Sequence, residues 1–92
     1  MPEPLSLESR PTLARKARLR YEEVRQTDLL LLPERVVTLN PAGAAILRLC
    51  DGHRTVREIV QELESRFGQV GLENDVLEFL RNVSLQGWLE SG

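Results

Sequence analysis

The sequence predicts an α+β domain of the winged helix-turn-helix type, in which a three-stranded antiparallel sheet is followed by three helices. Three observations lead there. Between Lys16 and Leu39 the apolar residues alternate or form short β-branched runs, the mark of strands. From Asn40 onward they recur at helical spacing, and Pro and Gly residues punctuate both halves. At 92 residues the chain is a single domain that buries only roughly 60% of its unfolded surface, so its core is thin.

Residues 1–14 hold Pro2, Pro4 and Pro11 among polar residues and read as a flexible N-terminal arm, leaving 15–92 as the folded domain. Ala17, Leu19 and Tyr21 then alternate with Lys16, Arg18 and Arg20, giving a first strand that ends near Val24 with one face buried. The stretch Arg25–Asp28 turns the chain. Leu29–Leu32 is too short for a helix and forms a second strand, mostly covered, that Pro33 stops. After a turn at Pro33–Arg35, the run Val36 to Asn40 makes a third strand. Its Val37 and Leu39 share one face, its Val36 and Thr38 the other.

Asn40 followed by Pro41 starts the first helix. Asn caps free backbone N–H groups, and Pro at the first helical position has no N–H to leave unpaired. This helix runs to about Cys50 with Ala42, Ala45, Ile46, Leu49 and Cys50 facing inward, and Gly52 supplies the left-handed residue past its end. Thr55 and Glu58 form a capping box for the second helix, whose stripe is Val56, Ile59, Val60, Leu63 and Phe67 and whose stop is Gly68. The third helix spans about Leu72 to Gln86. Leu72, Val76, Leu80 and Val83 point inward, Gly87 ends it, and Trp88 and Leu89 fold back.

Composition excludes several functions. Twelve basic against fourteen acidic residues give a net charge of −2, so nothing draws the chain as a whole to nucleic acid or an anionic membrane. The charge is uneven: the first 25 residues carry six basic and four acidic groups, residues 55–92 three and seven. In a winged helix the third helix would enter the major groove, but Glu73, Asp75 and Glu78 against Arg81 would repel phosphates. No segment has the ~18 apolar residues of a membrane span, and no apolar signal segment opens the chain. With one Cys and one His, zinc lacks ligands and no internal disulfide exists, which suits a reducing cytoplasm. Cys50 sits on an inward stripe and reads as an inert thiol, not as a nucleophile served by His53. No catalytic constellation, phosphate loop or cofactor site is evident.

The informative surplus is apolar. Leu77 and Phe79 fall on opposite flanks of the third helix's stripe, and one sheet face cannot cover both. In a meander the third strand is an edge, and the run Val36 to Asn40 has neither the Lys nor the Pro that defends an edge. Two readings stay open. One is a small domain with an imperfectly covered side; the other is a groove that receives an extended peptide as a fourth strand. In the second, Val37→Pro is expected to remove an edge N–H and abolish binding.

The stretches "RPTLARKARLRYEE", "LLLLPERVVTLNPAGAAILRLCDGHRTVREIVQELESRFG" and "DVLEFLRNVSLQGWLE" resemble the PqqD family of pyrroloquinoline quinone biosynthesis, one of the RiPP recognition elements. The resemblance runs from Arg10 nearly to the end. It implies a peptide chaperone without enzyme activity that binds the ribosomal precursor PqqA and presents it to the radical SAM enzyme PqqE. An older association with quinone binding attaches to the family as well, although no quinone pocket is evident. Carried over by position, the peptide-binding residues are Arg35, Val36, Val37, Thr38 and Leu39 on the strand and Asp75, Val76, Phe79, Leu80 and Val83 on the helix. The alternatives are a winged-helix nucleic-acid-binding module and a structural module, a monomer or an arm-exchanged dimer.

Overall fold

The structure, a computed structural model, describes residues 5–91. The strands are β1 (Pro11–Leu13), β2 (Arg18–Glu22), β3 (Thr27–Leu31), β4 (Val36–Leu39) and β5 (Leu89–Ser91). The helices, placed between β4 and β5, are α1 (Pro41–Arg48), α2 (Val56–Phe67) and α3 (Glu73–Leu85). The three predicted strands are β2, β3 and β4, an antiparallel sheet in the order β2-β3-β4 with three helices behind it. Its inner face is set by the pairs Leu19↔Leu30 and Leu30↔Val37, and Leu30 is fully buried.

The leucine run is less covered than expected. Side chains alternate, so Leu29 and Leu31 share the outer face with Arg18, Arg20, Val36 and Thr38, where both are half-buried and no helix lies over them. Tyr21 is also half-exposed.

Each helix begins as its sequence requires. The Asn40 side chain accepts the Gly43 N–H at 2.6 Å, and Pro41 occupies the first turn. Thr55 and Glu58 make the reciprocal capping box, and Gly68 closes α2 in the left-handed region at φ 62°. α1 stops at Arg48, two residues early, and turns Gly43, Ala44, Ile46 and Leu47 inward while Ala42 is exposed. Phe67 was expected on the buried stripe of α2 but is half-exposed, because it is the last residue before the chain turns away. In α3 the buried residues are Val76, Leu77, Leu80 and Val83.

The expectation of a free arm over residues 1–14 is corrected from Leu5 onward; residues 1–4 lie outside the described residues. Leu5 is 6% exposed and part of the same buried cluster as Ile59, Leu77 and Leu89. The carbonyls of Ser9 and Leu7 accept the N–H groups of Val56 and Arg57 at 2.9 and 3.0 Å. Those are first-turn donors of α2, which have no partner inside their own helix. β1 pairs antiparallel with β5, Thr12 opposite Glu90, and Pro11 is fully buried. Two three-residue strands are too short to show alternation, and backbone acceptors leave no trace in residue type. Covering α3 from this side also buries Leu77, which was expected to spill out.

Candidate peptide-binding groove

β4 lies at one edge of the sheet. Which of its backbone groups face the open side follows from the turn before it. Leu32 and Arg35 exchange both hydrogen bonds, at 2.9 and 3.4 Å. Hydrogen-bonded and non-hydrogen-bonded pairs alternate along an antiparallel ladder. Leu31↔Val36 is therefore a non-bonded pair, Leu30↔Val37 a bonded one, Leu29↔Thr38 non-bonded and Asp28↔Leu39 bonded. Val37 and Leu39 spend their N–H and C=O groups on β3, whereas those of Val36 and Thr38 point outward.

This corrects the expectation for Val37→Pro. The N–H at Val37 belongs to the β3–β4 ladder, so a proline there breaks the sheet and leaves the outer edge intact. Thr38 is the position that tests the edge. Side chains divide the other way: Val36, 59% exposed, and Thr38 stand on the outer face, while Val37 and Leu39 turn inward, half-buried, toward the helices.

α3 forms the facing wall. The Phe79 ring lies against Gly43 in α1, where an added Cβ would meet its Cε1 at 3.0 Å. At the other end of the wall the Arg35 guanidinium sits over Trp88, 5.4 Å from the ring centroid. Arg35 precedes β4 and Trp88 follows α3, while α1 follows β4, so strand and helix run in opposite senses along a shared groove.

Of the helix residues carried over, Phe79 is half-buried beside this groove and Asp75 is exposed. Val76, Leu80 and Val83 are 2%, 0% and 7% exposed and belong to the core, with Val76 also lining the small cleft beside Asp75. Helical spacing sets Val76, Leu80 and Val83 on the inward stripe and Phe79 on its flank, and the structure agrees; it was the carry-over by position that grouped them as one set. A small apolar cleft of about 150 Å³ continues from Asp75 between Ala42, Ile46, Phe67 and Leu72.

The electrostatics carry no catalytic signature. Burial pushes the Cys50 thiol up to about 12, with the neighbouring Asp51 charge adding to it, and its Sγ donates to the Ile46 carbonyl at 3.3 Å. Backbone N–H groups of His53 and Arg54 hold Asp51 below the usual carboxylate range. Among the described residues no cluster of three His, Cys, Asp or Glu side chains could hold a metal, and no helix is long and apolar enough to cross a membrane.

Residues 29–89 match the family described as Coenzyme PQQ synthesis protein D (PqqD). A PqqA binding protein from Pseudomonas paraeruginosa is 42% identical over 86 residues, covering 92% of this chain and 94% of its own. One from Methylococcus capsulatus is 40% identical over 72 residues, covering 78% and 77%. The solution NMR structure of the PqqD truncation of Methylobacterium extorquens PqqCD, a stand-alone RiPP recognition element, superposes with a TM-score of 0.81 at 36% identity and 94% coverage of both chains. Sheet, helices and matched sequence agree over the same span, and the chain belongs to the PqqD family.

Proposed function

We propose that this chain is a binding module, not an enzyme, that takes the precursor peptide PqqA as a fourth strand on β4 and presents it to the radical SAM enzyme PqqE in the cytoplasm. The observation that carries the reading is the pair of outward N–H and C=O sets at Val36 and Thr38, on an edge with neither Lys nor Pro. Backbone bonds to these two residues supply affinity. Val37, Leu39 and Phe79 supply an apolar floor, and Asp75 supplies a charge at the far rim.

Relatives of matching length are PqqA binding proteins, which supports the choice of guest. NMR titration of the full chain with synthetic PqqA tests it. Amide shifts are expected to concentrate on residues 35–39, Asp75 and Phe79. Shifts confined to the β2 edge, or absent at stoichiometric peptide, would overturn the proposal.

A further inference from the structure

Beyond the strand edge, the groove ends in a cleft of about 320 Å³ beside Trp88, with Arg15, Lys16, Glu34 and Glu90 on its walls. The ion pairs among the described residues use Arg25, Arg48, Arg54, Arg57 and Arg66. Arg15, Lys16 and Arg35 take part in none of them. Three cations therefore meet two carboxylates at this end of the sheet, an excess of positive charge on a chain that is negative overall.

Arg35 is the best placed of the three. Its guanidinium carbon lies over the Trp88 ring, and among the described residues its N–H donors enter no ion pair, which leaves them for a planar acceptor. It also directly precedes β4, so a strand laid along Thr38 and Val36 runs on into the cleft.

We propose that this cleft is a specificity site for a carboxylate side chain of the guest peptide, held by the N–H fork of Arg35 with Arg15 and Lys16 adding charge. The proposal rests on the strand-addition reading above. From Phe79 to Gln86, α3 rises about 10 Å. An extended chain covers that in about three residues. The acidic residue thus stands about three or four positions from the side chain seated on Phe79.

Trp88 is the chain's only tryptophan, so its emission reports this cleft directly. Synthetic PqqA is titrated into the full chain, its Arg35→Gln and its Glu34→Gln variants, by fluorescence and calorimetry at two salt concentrations. Trp88 emission is expected to move on binding. Arg35→Gln should weaken affinity about tenfold and flatten the salt dependence, and Glu34→Gln should tighten binding. One Asp→Asn or Glu→Gln change in the peptide should reproduce the loss and add nothing on the Arg35→Gln background.

A peptide amidated at its C-terminus should bind unchanged; loss on amidation would overturn the side-chain assignment. Equal binding by the parent and Arg35→Gln at both salt concentrations, with static Trp88 emission, would overturn the cleft and leave strand addition standing. Failure of the parent to bind PqqA would overturn both.

Discussion

Phe79 rests on Gly43: an added Cβ would come within 3.0 Å of its Cε1 and 3.1 Å of its Cζ, so the glycine is what lets the groove wall approach α1. A Gly43→Ala change gains about 1 kcal/mol of helix propensity. Pushing a ring out of a packed site costs about 1–3 kcal/mol. The expected net is a loss on the order of 1 kcal/mol in urea unfolding, together with weaker PqqA binding as Phe79 swings into the groove. Unchanged affinity would show that the ring does not shape the groove.

Leu5 tests whether the N-terminal segment belongs to the domain. It is buried among Ile59, Leu77 and Leu89. Leu5→Ala should cost about 2–5 kcal/mol, the usual range for a core leucine. Chemical denaturation measures it, and a change below about 0.5 kcal/mol, typical of a surface site, would return the segment to a loose arm.

The turn between α1 and α2 sets an acid limb. Asp51 accepts N–H bonds from His53 and Arg54, and Glu58 accepts that of Thr55, which lowers both carboxyls from ordinary values of 3.8 and 4.5. A carboxylate held lower in the folded state stabilises fully above its unfolded value and loses that contribution as pH falls through the folded one. Stability from these two groups should hold down to about pH 5 and fall below it, and the double change Asp51→Asn, Glu58→Gln should make that limb shallower. An identical limb in the variant would assign acid unfolding to other groups.

Cys50 is expected to be silent. With its thiol pushed up to about 12 by burial, a disulfide reagent at pH 8 should label it only after unfolding. Labelling of the native chain within seconds would mean that the α1 terminus opens.

Much of this was legible in the residues. Thr55, Glu58 and Gly68 fix α2 to the residue, because capping is local chemistry between groups three apart or at a chain end. The order of strands and the edge position of β4 followed from alternation and turns. What sequence could not show depends on contacts distant in the chain. β1 and β5 are three residues each and pair across nearly the whole length of the chain, with β1 also bridged to Asp51. The outward register at Val36 and Thr38 depends on how Leu32 and Arg35 close the turn, and the burial of Leu77 goes with the packing of Leu5 into the same cluster.

The central claim is that the guest adds to β4 through the outward groups of Val36 and Thr38. Thr38→Pro removes one such N–H without touching the β3–β4 ladder, and Thr38→Ala keeps it. Calorimetry with PqqA, on variants whose circular dichroism matches the parent, should show Thr38→Ala binding within about twofold and Thr38→Pro weaker by about tenfold or more, as expected for a lost edge bond and a disturbed register. A folded Thr38→Pro variant that binds PqqA as tightly as the parent would contradict strand addition.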